Sequence, residues 1–492
     1  MTRSTSELSP FGTTDKFTKL AWGTLFVLCG ALFLDALDVS MMGVALPSIR
    51  SGLHMSTSSL QWVVSAYVLG YGGFLLLGGR AADLLGRRRV FLIALGVFVV
   101  ASMLGGLADS GTLLIATRFI KGVSAAFTAP AALSIITTSF AEGPARNKAL
   151  SIFTATGATG FSLGLVVGGL LTELGWRWNF FLPAPVALIV LVAGLRLVPR
   201  EARRLRGPRT FDIAGAVSMT GAMLLLVFTL VEAPEAGWVS ARTLASLAGV
   251  AAILVAFVAR ERTAAAPLIR LGILRSGSLV RANLGAMSLF GGWVGFQFIV
   301  TLYLQQLRGW SSLDTGLAIF PAGVLVALLS PRMASLVGRF GVTRLIVAGM
   351  VSIAAGYALF LPIGLGSSYA LGMLPTFLLA GLGFALAFGP LNIAGTSGVA
   401  AHEQGLAGGL LNTSFQFGGA LVLAIVTAVI NAASGTSGSV QSTLNGFHAA
   451  LFISVGAAAL GIVATLQRPR AAEVVPGFDE IEESLAEAAE AA

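Results

Sequence analysis

The sequence predicts an all-α polytopic membrane protein with 14 transmembrane helices arranged six, two and six. Three observations predict it. Of 492 residues, 56% are hydrophobic and 11% are charged, and the mean hydropathy is +0.88; soluble domains carry about a quarter charged residues. The apolar residues gather in runs of about 20, the length a helix needs to cross a hydrocarbon core of about 30 Å. Lys and Arg concentrate in alternate connections between those runs, which is the signature of a fixed orientation.

Residues 1–18 are polar and mixed in charge and read as a cytoplasmic N-terminal segment. The run 19–46 is too long for a signal-peptide core and shows no distinct small-residue cleavage site, so it reads as an uncleaved first span. Runs at 59–79, 89–108, 112–135, 149–173 and 178–198 complete a first group of six, 19–198. Longer basic connections at 199–210, with "REARRLRGPR", and at 260–279 set apart two spans, 211–232 and 242–259, so 199–279 forms a linker. A second group of six, within 280–467, follows at 280–304, 314–331, 342–363, 368–391, 404–431 and 446–467. Six-span groups facing one another are the usual build of transporters made from repeats. The tail 468–492 is acidic, with Phe478, Ile481 and Leu485 at helical spacing, and reads as a solvated cytoplasmic tail.

With both termini inside a cell membrane, the inner segments hold 25 of the 31 Lys and Arg residues, and the outer loops hold only Arg50, Arg177, Arg242 and Arg308. The net charge of +9 is therefore read as a topology signal beside a lipid bilayer, with no nucleic-acid partner. Cys29 is the only cysteine, which excludes a disulfide framework. His54, His402 and His448 are far apart, and neither a His-x-x-Glu-His spacing nor a Gly-x-Ser-x-Gly elbow occurs. No catalytic residue, metal or cofactor is expected.

The candidate site comes from charges inside spans, which cost about 2.5 to 3.5 kcal/mol each near the bilayer centre. Asp35 and Asp38 lie about 16 and 12 Å from the outer end of span one, and Arg118 and Lys121 lie about 9 and 14 Å into span four, at about 1.5 Å per residue. Each pair is spaced i, i+3 and shares a helix face. Two acids opposite two bases make a neutral cluster. It is either a static salt-bridge network orienting two helices or a site where a proton competes with a cation for an Asp. Tyr67, Phe296, Gln297, Asn392, Asn412 and Gln416 are candidates to line a substrate cavity, with packing as the other reading for the aromatics. The glycines of "GATGFSLGLVVGGLL" (157–171) let helix backbones approach closely.

The connection "GGRAADLLGRRRV" (78–90) resembles the signature loop of the major facilitator superfamily, G-x-x-x-D-x-x-G-R-R/K, with Gly79, Asp83, Gly86, Arg87 and Arg88 at matching positions. The resemblance implies an inner gate loop that locks the halves of a major facilitator fold, with Asp83 pairing Arg87. "ASLVGRFGVTR" (334–344) is the related stretch in the second half; it keeps Gly341 but has Gly338 at the acidic position. Other segments look like drug/proton antiporters with 14 spans. "LDVSMMGVALPSI" (37–49) places the family's acid on Asp38, with Gly43 where Asn is common, and "LIATRFIKGVSAA" (114–126) places its Arg on Arg118. "QWVVSAYVL" (61–69) and "GWRWNFFLPAP" (175–185) also match. "GFSLGLVVGG" is similar to the antiporter motif at Gly160, Gly164, Gly168 and Gly169, with Leu165 where Pro is usual.

The resemblance implies a proton-coupled exporter of small amphipathic compounds such as antibiotics, working as a single chain in a bacterial inner membrane. Asp38 is the expected principal proton carrier, Asp35 an auxiliary carrier or substrate contact, and Arg118 the group that tunes them, while Lys121 either stabilises the ionised Asp pair or attracts an anionic compound. Proton-coupled uptake of a small metabolite, and a membrane sensor without transport, stay open as alternatives.

Overall fold

The computed structural model describes residues 17–140, 144–200, 213–263, 276–397, 399, 404–434 and 439–466. Most of the expected N-terminal segment, most of the "REARRLRGPR" connection and the acidic tail lie outside the described residues. Every regular element among those described is helical. In order they are α1 Lys19–Leu53, α2 Thr57–Leu85, α3 Arg87–Gly106, α4 Gly111–Ser139, α5 Pro144–Leu174, α6 Trp178–Phe181, α7 Pro183–Leu197, α8 Ile213–Ala236 and α9 Ala241–Thr263. They continue as α10 Gly277–Leu302, α11 Ser312–Leu329, α12 Met333–Phe340, α13 Val342–Phe360, α14 Leu374–Thr396, α15 Gln404–Ser434 and α16 Val440–Leu466.

Among the described residues, 13 helical stretches are long and apolar enough to cross a membrane. The seventh expected span falls on α8, whose described apolar stretch, Val217–Leu230, is shorter than a full crossing. Local chemistry starts the helices where the apolar runs begin. Thr18, Ser56, Ser110, Ser276 and Ser311 each accept a backbone N–H of the first turn of α1, α2, α4, α10 and α11. Gly86 and Gly341 turn the chain between α2 and α3 and between α12 and α13 at φ values of 98° and 81°, a backbone region that glycine enters without a Cβ clash.

One packing pattern occurs twice. In the first half α1 packs on α5 and α7, and α4 on α2 and α3, with α3 also on α7. In the second half α10 packs on α15 and α16, and α14 on α11 and α13, with α13 also on α16. The halves meet along two seams, α5 against α11 and α2 against α15. The linker helix α8 lies on both α2 and α15, so it covers the second seam. Val227 is buried there with Tyr67, Val68, Ala420 and Ala424, and at the helix end Trp62 donates its indole N–H to Glu232 at 3.3 Å.

The helix ends sort into two sides: a basic side, where α1 begins and α2 ends, and a far side. On the far side the two halves are fastened by hydrogen bonds, one from beyond α10 to α1 and one from α11 to α5. Gln305 donates to the Val44 carbonyl at 2.8 Å, and the Leu313 N–H donates to Glu173 at 3.3 Å. A cavity of about 350 Å³ opens beside them, lined in part by Ser48, Ser51, Glu173 and Trp310.

Candidate functional site

Three helices build the site, and small residues set how close they come. A Cβ on Gly122 of α4 would lie 2.0 Å from the Tyr67 carbonyl of α2, so only glycine lets these backbones touch. On the other side, α5 lies against α1 through the motif glycines. A Cβ at Gly160, Gly164 or Gly168 would run into Phe33, Leu37 with Ser40, or Met41, while Gly169 faces Ser312 and Leu313 of α11. Helix α5 runs unbroken through Leu165, which stands where proline is usual in the motif it resembles.

This packing buries the charges of α1 and α4 against each other. Asp38, Arg118 and Lys121 are 0%, 1% and 0% exposed. Arg118 pairs with one oxygen of Asp38 and Lys121 with the other. The Arg118 Nε–H also donates to the Val63 carbonyl at 3.1 Å, and its guanidinium lies 4.6 Å from the Tyr67 ring centroid. Lys121 Nζ sits 4.6 Å from the Phe98 ring centroid and 5.2 Å from that of Phe180, so aromatic faces complete its surroundings.

Asp35 stands apart from this triad. It is half-buried one helical turn nearer the basic side, and it accepts a hydrogen bond from the Tyr67 hydroxyl. The four charged residues thus gather as their spacing predicts, but in a three-plus-one arrangement. Both cations go to Asp38, and the pairing of two acids with two bases does not form. Spacing fixed the faces and left the rotation of each helix open, and it is rotation that decides partners. Tyr67 is a candidate cavity residue by sequence; its buried ring and hydroxyl instead join the two acids' surroundings.

The other candidates scatter. Phe296 lies in the core of the second half, stacked on Tyr357 at 4.4 Å and beside Phe360 and Phe377. Asn392 and Asn412 donate to their own helices, at the Phe388 and Gly408 carbonyls. Gln416 is buried at the α2–α15 seam, facing Gly72. In the gate loop, Arg88 donates to the Val198 and Leu195 carbonyls at 2.8 and 2.7 Å and so caps the end of α7. Gly79 lies near Pro130 of α4, Arg87 opens α3, and the side chain of Asp83, with its expected pairing, lies outside the described residues.

Gln297 does reach across to the other half. Its amide points at Gly43 of α1, where a Cβ would sit 2.3 Å from Nε2, and Nε2 is buried without a hydrogen-bond partner among the described residues. The amide from α10 fills the volume that a side chain at 43 would take. Gly43→Asn is therefore expected to overpack the contact and cost about 1 to 3 kcal/mol. Adding Gln297→Ala is expected to recover most of the loss. Thermal melting of the two single variants and the double variant checks this; losses that simply add would refute the contact.

Two six-helix groups of one packing pattern, meeting at glycine-lined seams and with buried ionisable groups inside the first, define a helical secondary transporter. The chain belongs to the Major Facilitator Superfamily, whose sequence profile matches residues 28–423. It is 39% identical over 453 residues to the puromycin resistance protein pur8 of Streptomyces alboniger, covering 88% of each chain. It is also 39% identical over 437 residues to the cephamycin export protein CmcT of Amycolatopsis lactamdurans, covering 88% of this chain and 89% of that protein. The structure of the POT family transporter PepTSo matches with a TM-score of 0.64 over 90% of this chain and 99% of that one, at 17% identity, which is a likeness of fold.

Proposed function

We propose that this protein exports small amphipathic compounds, antibiotics among them, in exchange for protons by alternating access of its two six-helix halves. The observation that carries the export reading is the full-length similarity, at 39% identity, to proteins of puromycin resistance and cephamycin export. The proton part rests on the buried ionisable cluster of Asp35, Asp38, Arg118 and Lys121. Charges inside a membrane-crossing bundle are costly, and such groups mark ion and proton pathways.

In this reading the domain limits 19–198, 199–279 and 280–467 hold, α8 completes 14 spans, and one chain suffices for transport. The basic side faces the cytoplasm of a bacterial inner membrane, with both termini there. The hydrogen bonds of Gln305 and Glu173 then tie the two halves together on the external side. The glycine-lined seams support the rocking, because backbone surfaces without side chains slide with few interlocking contacts to break.

Everted membrane vesicles from a host expressing the protein test it. Puromycin uptake into them is expected when an acid-inside gradient is imposed, and its collapse when a protonophore is added. Flux in the opposite direction would favour uptake symport, and binding without flux would favour a sensor; either would sink the proposal.

A further inference from the structure

We propose that Asp35 is the carboxyl that takes up and releases the transported proton, that Asp38 stays ionised as a fixed anchor for Arg118 and Lys121, and that Tyr67 is the positioning residue between them. The inference rests on the proton-exchange reading above and divides the labour within its cluster. It moves the proton away from Asp38, the position where the sequence resemblance puts it.

Asp38 is poorly placed to exchange a proton. Each of its oxygens holds a cation, and all three groups are cut off from solvent. Protonating it would leave two buried cations without a counter-charge, a cost that recurs in every cycle. Asp35 bears no such load. It is less tightly enclosed than Asp38, which is 0% exposed, and the partner seen is the Tyr67 hydroxyl. A hydroxyl donates to a carboxylate and, turned about its C–O bond, accepts from a carboxylic acid. Asp35 keeps its partner in both protonation states.

The charge balance points the same way. The groups around Asp35 are Asp38 on its own helix, Tyr67 and Tyr71 on α2, and Arg118 and Lys121 on α4. Two cations against ionised Asp38 leave one positive charge. Ionised Asp35 cancels it, and protonated Asp35 restores it. The proton-loaded site therefore repels a cation and the proton-free site accepts one, so a proton and a monocationic amphiphile exclude each other. The step moves one proton from the external medium to the Asp35 carboxylate, and from there to water on the cytoplasmic side as the cationic compound binds. Tyr67 connects this event to the triad, since its hydroxyl holds Asp35 while its ring lies under the Arg118 guanidinium.

The test is an infrared pH titration of the purified protein in detergent, which needs no substrate. On acidification the wild type is expected to gain a protonated-carboxyl C=O component that Asp35→Asn lacks. Asp38→Asn, where it can be purified, is expected to keep that component. Tyr67→Phe, which removes the hydroxyl and keeps the ring, is expected to change the pH midpoint of the component; an unmoved midpoint removes Tyr67 from the scheme. A component that survives in Asp35→Asn and disappears in Asp38→Asn overturns the proposal, and so does its absence from the wild type. If the component behaves as expected but a pH gradient does not drive puromycin in vesicles, it is the export reading that fails.

Discussion

Asp38→Ala is expected to give one of the two largest losses of stability and transport in this protein. The substitution leaves Arg118 and Lys121, 1% and 0% exposed, without the carboxylate that both contact. Breaking a buried ion pair by removing one partner costs about 3 to 5 kcal/mol. The melting temperature in detergent should fall accordingly, and puromycin efflux should drop to the level of empty vesicles. Adding Lys121→Met removes one of the two orphaned cations, so the double variant should melt above Asp38→Ala alone. A double-mutant cycle measures the coupling. Zero coupling would mean that Lys121 finds another partner and that the triad is not the unit described.

Gly316→Leu should abolish transport by a different route. A Cβ at Gly316 of α11 would lie 2.2 Å from the Leu165 carbonyl of α5, and backbone at that distance has no rotamer to change. The side chain must push the two halves apart at the seam, with an overpacking cost of about 1 to 3 kcal/mol or more. The helices within each half still pack on one another, so insertion should survive while efflux is lost. Gly221→Ala on α8, with nothing within 4 Å of its added Cβ, is the matched control and should transport like the wild type. Equal efflux from the two variants would count against a working seam at Gly316.

These effects were unevenly legible in the sequence. The helices were readable because a bilayer imposes one length and one composition on every crossing. The gathering of Asp35, Asp38, Arg118 and Lys121 was readable because depth and i, i+3 spacing follow from helix geometry alone. Their partners were not, since a few tens of degrees of helix rotation decide whether Lys121 meets Asp35 or Asp38. Tyr67 gave one usable signal, a polar aromatic ring in the apolar run beside the charged ones. The tie between Gly43 and Gln297 gave none, because the missing side chain on α1 and the amide on α10 lie far apart in sequence.

The position of α8 bears on how the polypeptide can be divided. Packed on α2 and α15 and tied to Trp62 through Glu232, it serves both halves. A gene cut in the connection before α8 sends that helix out with the second fragment, and a cut after α9 leaves it with the first. In either case one fragment carries a surface made for the other. Co-expressed fragments should therefore recognise each other and reassemble, with α8 as the clasp that brings two separately inserted pieces into register.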